Sequence, residues 1–419
     1  MKRVGTAILL IFWFGAGFVV RGQAPSEGTR KRVLFIKGGT VHTMVRGDIQ
    51  GGCILIEDGK IIKVGKDLVP PPGAAILETS SRWIMPGFVV AQSVPVGMAP
   101  LVKEDVDPAV ADYLDPFSLE FRVCLASGIT TLGPSFDYGL YPVPGTEKKA
   151  YSFRNAVIKP AYGHLENVVI REPGHLYIDV AGLTPSARAD LRNLLLKARD
   201  FVCEGAKSEP PAELRNYVSV IKGELPVRFK AGRKEDILKV LSFVDEFRVR
   251  AQILGAEEGW LLAGEMARRN ITAILQPQAV IERDPYLDRP NGSAFRNPLF
   301  LKKGGVRFAL IPPSPGVTMS GILGGDLLTF PLAGAFAVRG GLEEEDALRA
   351  MTVVPADMLG VSQRVGTIEP GKDADIIICD GNPLDYRSYV EYTILDGEIV
   401  YDKTSSSFFK NIPRAKRLF

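Results

Sequence analysis

The sequence predicts an α/β fold, a (β/α)8 TIM-like barrel with a small discontinuous β-sandwich built from both chain ends. Three observations carry this prediction. Short strands joined by turns occupy both ends of the chain, strands alternate with amphipathic helices through the long middle, and 46% hydrophobic residues suffice for a large core. We therefore assign residues 85–361 to the barrel and residues 32–84 together with 362–405 to the sandwich.

The first 24 residues are predicted to form a secretory signal peptide. Lys2 and Arg3 precede an apolar stretch over residues 7–20, shorter than the ~20 residues that a membrane span needs. Residues 22–24 resemble a small-x-small cleavage site, but Pro25 directly after it leaves cleavage after Gly22, or retention as an anchor, open. We expect export to the periplasm or the extracellular space, with membrane contact only if the segment is retained.

Turn signals organise the two predicted halves of the sandwich. Asp-Gly pairs at residues 58–59 and 396–397 separate runs of β-forming residues, which indicates a hairpin in each half. Cys53 and Cys379 fall in these runs. An exported protein could join them, while two buried free thiols are the favoured alternative. Residues 406–419 are predicted to be a tail.

The middle of the chain alternates strand and helix patterns. Residues 234–247 are predicted to form a helix because their apolar side chains recur at helical spacing. A shorter helix is predicted over residues 119–126, followed by Gly128, which suits a left-handed helix end, and then by a strand from residue 129. Such alternation is typical of a barrel whose carboxyl strand ends carry the functional groups.

The net charge of the chain and its distribution argue against nucleic acid binding. Lysine and arginine total 51 and aspartate and glutamate total 48, so that the formal net charge is only +3. Acidic and basic residues are interspersed, and no basic stripe of the kind that binds phosphate backbones stands out. We therefore expect no nucleic acid partner.

Four stretches of the chain carry recognisable motifs. Residues 85–97 read MPGFVVAQSVPVG and residues 226–237 read PVRFKAGRKEDI. Residues 347–360 read ALRAMTVVPADMLG, and residues 366–375 read GTIEPGKDAD. Together they resemble the amidohydrolase superfamily, in the branch that contains imidazolonepropionase and its relatives. The resemblance covers nearly the whole chain after the signal segment and implies a barrel that holds a divalent metal ion.

The resemblance also assigns a position to each metal ligand of the family. The two first-strand histidines fall at Gln92 and Val94, and the fifth-strand and sixth-strand histidines fall at Lys230 and Leu254. The eighth-strand aspartate falls at Pro313, within about one residue. None of these five side chains supplies the imidazole or carboxylate that a zinc-type ion prefers.

These substitutions predict a protein without the family's chemistry. Hydrolysis of an amide at neutral pH needs an activated water, which a bound metal supplies by lowering the water's pKa to ~7. We therefore expect no catalytic residues, no metal and no other cofactor, and predict a pseudoenzyme. It would bind a small molecule, pair with an active paralogous amidohydrolase or form a homo-oligomer. Candidate ligand contacts at the barrel mouth are Gln92, Lys230, His164 and Glu257.

An active hydrolase is the alternative. The chain has only three histidines, and His164 and His175 lie in a loop-rich segment. Together with Glu257 they could form a relocated zinc site acting on carbon–nitrogen bonds other than peptide bonds, such as those of cyclic amides or N-acyl compounds. Loop histidines are more often surface or hydrogen-bonded residues, and Glu257 also fits the acidic start of a helix.

Overall fold

The computed structural model describes residues 32–98, 109–137, 150–163, 168–205, 208–277, 295–312, 329–407 and 409–411. The predicted signal peptide at residues 1–24 lies outside these ranges, as do residues 412–419 of the predicted tail. Over the described ranges, no helix combines the length and the apolar character that a membrane crossing requires.

Strands from both ends of the chain form one sheet, which we call the terminal sheet. Its strands are β1 (Val33–His42), β2 (Asp48–Glu57), β3 (Lys60–Lys66), β4 (Ala75–Glu78), β5 (Trp83–Pro86), β16 (Ile376–Cys379), β17 (Val390–Leu395) and β18 (Glu398–Asp402). The strand order is β18-β17-β16-β5-β1-β2-β3, and β4 also pairs with β1. Strand β5 pairs antiparallel with β16, which joins the two chain ends directly. The packing of this sheet as a sandwich stays a prediction.

Both predicted hairpins are present in the terminal sheet. Asp58 and Gly59 join β2 to β3 with φ angles of 46° and 82°, and Asp396 and Gly397 join β17 to β18 with 47° and 77°. Two consecutive positive φ angles are the requirement of a type I′ turn, which Asp-Gly satisfies with little strain.

The two cysteines of the terminal sheet remain thiols. Cys53 in β2 and Cys379 in β16 are both buried and free. In the sheet order β1 and β5 separate their strands. The favoured sequence alternative of two buried free thiols therefore holds.

The middle of the chain contains parallel strands, which we call the parallel wall. One parallel pair is β6 (Phe88–Ser93) with β7 (Ile129–Pro134), and a run of five is β11 (Leu176–Asp179), β12 (Val227–Ala231), β13 (Ala251–Gly255), β14 (Thr272–Leu275) and β15 (Phe308–Leu310). The described residues thus hold seven parallel strands, one fewer than a strict (β/α)8 barrel.

Antiparallel segments stand between β7 and β11 instead of a further parallel strand. Strand β8 (Tyr151–Ser152) pairs antiparallel with β11, and β9 (Val157–Ile158) pairs antiparallel with β7 and with β10 (Val169–Arg171). On the other side, the N–H groups of Leu310 and Val89 donate to the carbonyls of Ala350 and Met351, at 2.8 and 2.9 Å, so residues 350–351 bridge β15 and β6. Closure of the wall into the predicted (β/α)8 barrel stays a prediction.

Helices connect and cover the strands of the parallel wall. They are α1 (Leu119–Ala126), α2 (Pro185–Cys203), α3 (Arg215–Ile221), α4 (Lys234–Phe247), α5 (Ala263–Arg268), α6 (Asn297–Lys303), α7 (Phe330–Arg339), α8 (Glu344–Arg349) and α9 (Val353–Met358), with 3-10 turns at Val110–Tyr113, Ala212–Leu214 and Gly259–Leu262. Helices α1 and α4 span the residues that the sequence predicts. The predicted apolar face of α4 is buried against the wall. Serine and threonine side chains cap α1 and α2, as helix starts require.

Candidate functional site

The register of the parallel wall arranges its side chains in two rows. Residues that stand opposite each other on neighbouring parallel strands point to the same face, and successive residues alternate between faces. Phe229 of β12 packs on Phe243 of α4, with ring centroids 5.1 Å apart, so its neighbours Arg228 and Lys230 point away from the helices. The row nearer the amino strand ends, called the lower row, is Tyr177, Arg228, Gln252 and Thr272, and the row nearer the carboxyl ends, called the upper row, is Asp179, Lys230, Leu254 and Ile274.

Arg228 dominates the lower row. Its guanidinium is fully buried and donates to the Oε1 atoms of Gln92 and Gln252, both at 2.7 Å, and to the carbonyl of Ala91, also at 2.7 Å. Gln252 in turn donates through Nε2 to the carbonyl of Met358 at 2.6 Å. Gln92, the first assigned ligand position, is therefore a buried hydrogen-bond partner of an arginine.

A polar cluster occupies the carboxyl end of three adjacent strands, and we call it the mouth cluster. Lys230 donates through Nζ to Asp179 Oδ2 at 3.0 Å, and its side chain is 46% exposed. Glu257 follows β13, and its carboxylate packs over two glycines: a Cβ at Gly232 would stand 2.2 Å from Oε2, and one at Gly255 2.8 Å. Glycine at both positions makes room for this carboxylate.

Burial and the charge of Lys230 act in opposite directions on the pKa of Glu257. Burial raises the pKa of its carboxyl group, the ammonium of Lys230 lowers it, and the adjacent Glu258 raises it. Glu258 itself accepts from the backbone N–H of Lys234 at 2.7 Å and so caps the start of α4. The mouth cluster thus combines one ammonium with two carboxyl groups, of which one is held in a poorly solvated place.

Two of the other assigned ligand positions, Leu254 and Val94, lie within the described residues. Leu254 is buried in the upper row, where its side chain offers only hydrocarbon. Val94 is half-buried just beyond β6. The assigned position Pro313 and the candidate contact His164 lie outside the described residues.

His175 is separated from the mouth cluster. It directly precedes β11, at the amino end of the wall, whereas Glu257 lies beyond the carboxyl end of β13, about five residues or ~16 Å along the strand direction. Its ring is fully buried, and within the described part of the chain neither ring nitrogen has a hydrogen-bond partner. Burial lowers its pKa well below the ordinary value, and Arg228 and Arg171 lower it further. The described residues therefore do not bring His175 and Glu257 into one site.

The residues at the described ligand positions do not fit a zinc-type ion. The Gln92 oxygen already accepts from a guanidinium, Lys230 is a cation paired with a carboxylate, and Leu254 has no lone pair. Across the described ranges, no group of three or more histidine, cysteine, aspartate or glutamate side chains is arranged to hold a metal ion.

Two members of the site escape sequence reasoning. Asp179 enters only through the pairing of β11 with β12, which sets it beside Lys230. Arg228 stands in the motif at residues 226–237, but the sequence does not say that its side chain crosses to β6. The period of two along β12 was the available signal, because it puts Arg228 and Lys230 on one face.

Comparisons with known proteins agree with the architecture. The model of the Amidohydrolase family matches residues 309–409. A solved structure of an amidohydrolase from Thermotoga maritima MSB8 superposes with a TM-score of 0.71 and 25% identity, covering 88% of this chain and 100% of that one. That likeness implies a fold of mixed α/β content that contains a TIM barrel.

Proteins with similar sequences include an imidazolonepropionase and an amidohydrolase. The imidazolonepropionase of Mesorhizobium japonicum is 25% identical over 386 residues, which are 80% of this chain and 87% of that protein. Amidohydrolase tasK of Hapsidospora irregularis is 40% identical over 62 residues, 15% of this chain. The aligned part spans only 6% of the Hapsidospora protein.

Proposed function

Because the chain belongs to the amidohydrolase superfamily, similar within it to imidazolonepropionases, we propose that it is an exported barrel protein that has lost metal-dependent hydrolysis. In this proposal it binds a small molecule at the carboxyl ends of the wall strands. The observation that carries the proposal is the hydrogen bond from Arg228 to Gln92. A guanidinium at this place repels a divalent cation, and it occupies the oxygen that would have to replace an imidazole.

The mouth cluster supports a ligand with two kinds of polar group. The Lys230 ammonium can bind an anionic group, while Asp179 and Glu257 can accept hydrogen bonds from N–H groups or bind a cation. Polar groups at the carboxyl ends of parallel strands are where barrel proteins hold their ligands. A small molecule that carries both a carboxylate and an amine or amide suits this arrangement.

Metal content tests the proposal. We expect the purified full chain to carry zinc far below one equivalent when it is analysed by mass spectrometry. The matched control is the variant Lys230→His/Leu254→His, which sets two imidazoles beside Asp179 on strands ~4.8 Å apart and should gain zinc. Stoichiometric zinc in the unaltered chain would overturn the proposal, whatever the variant does.

An active hydrolase is the second candidate, and the imidazolonepropionase relatives favour it. It would act on carbon–nitrogen bonds other than peptide bonds, with zinc as the cofactor. Because His175 and Glu257 lie at opposite ends of the wall, ligands would have to come from elsewhere. Turnover of imidazolone-type or N-acyl amides by zinc-supplemented protein, lost on addition of a chelator, would favour this candidate over the first.

Pairing with an intact paralogous amidohydrolase, or with a second copy, extends the first proposal. The extension is supported by the fact that an oligomer surface can persist after a catalytic site is lost. Native mass spectrometry of the chain alone and with the paralogue tests it, and a monomer under both conditions would contradict it.

A further inference from the structure

A cavity opens at the amino ends of the wall strands, on the side away from the mouth cluster. We call it the basal cavity. Its volume is about 480 Å³, within the ~300–1,000 Å³ range of small-molecule pockets. The segments before β12, β13, β14 and β15 line it together with the end of α9.

Four arginines line the basal cavity, against one carboxylate. Arg307 pairs with Asp357 at 2.7 Å, and Arg269 pairs with Asp245 and Glu265, which lie outside the lining. The other two arginines that line the cavity are Arg248 and Arg250.

Arg248 and Arg250 form no ion pair with the described carboxylates. Arg250 donates through Nη1 to the carbonyl of Gly223 at 3.2 Å, and this neutral partner does not balance its charge. Arg248 ends α4 in a left-handed conformation with φ 56°. It adds to the larger effect of Arg269 in lowering the pKa of Asp245, but lies beyond ion-pair distance. Both side chains are exposed and can reorient onto a ligand.

The excess of positive charge extends into the protein behind the cavity. Burial and the charge of Arg250 lower the pKa of Arg171, and Glu224 opposes them. The pKa of His175 is likewise lowered, most by burial and then by the charges of Arg228 and Arg171. Gln252 connects the two regions, because it lines the cavity and accepts from Arg228. An anion bound in the cavity would therefore be stabilised by this positive charge.

We propose that the basal cavity binds a small anion with at least two negative charges, held by Arg248 and Arg250. A guanidinium matches phosphate and carboxylate oxygens with two parallel N–H donors, and two unpaired guanidiniums on one rim suit a ligand with two such groups. Diphosphates and polycarboxylates share this chemistry. The site lies at the opposite strand ends from the mouth cluster and does not depend on the function proposed there.

Calorimetric titration of the chelator-treated full chain with pyrophosphate, and separately with citrate, tests the inference. We expect one equivalent of at least one probe to bind, more weakly as salt rises. The variant Arg248→Ala/Arg250→Ala should bind it about 100-fold more weakly, at roughly tenfold for each lost charge-assisted contact. The control Arg339→Ala removes an equal type of charge at the end of α7, outside the cavity, and should leave affinity unchanged.

The two probes distinguish a phosphorylated ligand from a polycarboxylate. Binding of pyrophosphate alone identifies a phosphorylated ligand, and binding of citrate alone identifies a polycarboxylate. No binding of either probe, or an equal loss in the Arg339→Ala control, overturns the inference. Circular dichroism of each variant verifies that the fold is kept. Metal content does not enter the result, so failure here is distinguishable from failure of the function proposed for the mouth.

Discussion

At the scale of single residues, the neighbours of a side chain at an assigned ligand position decide whether it is available to a metal ion. Gln92 could in principle offer its amide oxygen to a cation, but Arg228 reaches that oxygen from β12 at 2.7 Å. Lys230 replaces another assigned ligand and is held by Asp179 instead. In both places a cationic side chain stands where the family's chemistry would require a lone pair.

Replacing Lys230 by methionine should hardly change stability. Its ion pair with Asp179 is about half exposed on the lysine side, and exposed pairs contribute no more than about 1 kcal/mol. We therefore expect Lys230→Met to change the free energy of unfolding in urea by less than about 1 kcal/mol. The pair of Lys239 with Asp236 has similar exposure, so Lys239→Met is the matched control. A cost several times that of the control would mean that Lys230 is part of the core.

At the scale of elements, a buried lysine joins β9 to the terminal sheet. Lys159 follows β9, is fully buried, and contacts Asp373 at 2.8 Å, Asp375 at 2.9 Å and Asp396 at 2.6 Å. Asp373 and Asp375 precede β16, and Asp396 is in the turn after β17. Burial alone would raise the pKa of Asp373, but Lys159, Lys60 and Arg364 lower it to about 2. The motif at residues 366–375 therefore serves to fasten two parts of the fold.

The same cluster predicts a dependence of stability on pH. Burial raises the pKa of Asp375 to about 6, against the opposing charge of Lys159. Because this pKa exceeds the ordinary value of about 3.9 for an unfolded chain, the folded protein binds the proton more tightly between about pH 4 and 6. The group's contribution to stability is complete below about pH 4 and is lost as the pH rises through 6.

Asp375→Asn should remove this contribution. We expect the variant's melting temperature to fall less steeply, or rise more, than the wild type's between about pH 4 and 6, as measured by calorimetry. Exposed Asp200 on α2 supplies the control, because Asp200→Asn should retain the wild-type profile. An unchanged slope in Asp375→Asn would show that this carboxyl group does not titrate in that range.

At the scale of the whole molecule, residues far apart in the chain share one apolar core. Ile36, Ile54 and Ile84 from the N-terminal part pack in the same cluster as Ile376 and Ile378 from the C-terminal part. Since β5 pairs with β16 in the middle of the terminal sheet, neither end can bury its apolar face without the other. The two ends should therefore unfold together.

Truncating a buried isoleucine tests this coupling. Ile378→Ala should cost about 2–5 kcal/mol, the usual loss for such a change in a core. Ile399 is 44% exposed in β18, so Ile399→Ala should cost far less. Trp83 lies in β5 opposite Cys379, and in a Trp13→Phe/Trp260→Phe background its fluorescence reports the N-terminal half of the sheet. If the C-terminal strands unfolded at a lower denaturant concentration than the one at which Trp83 fluorescence changes, the two ends would not form a single cooperative unit.

The sequence by itself determined the local elements and the identity of the side chains at the assigned ligand positions. The Asp-Gly hairpins and the helix Lys234–Phe247 follow from turn chemistry and from helical spacing, which act between near neighbours. The side chains at Gln92, Lys230 and Leu254 can be read directly from the motifs, and none of them is the imidazole or carboxylate that a zinc-type ion prefers.

Only the tertiary structure decided what those side chains do instead. Strand register placed Asp179 beside Lys230, and Arg228 crossed to Gln92 on a strand more than 130 residues away along the chain. Four arginines from three segments between residues 248 and 307 came to line one cavity. Such contacts join residues far apart in the chain, and the free energy of packing the whole molecule selects them. Local sequence signals therefore do not contain them.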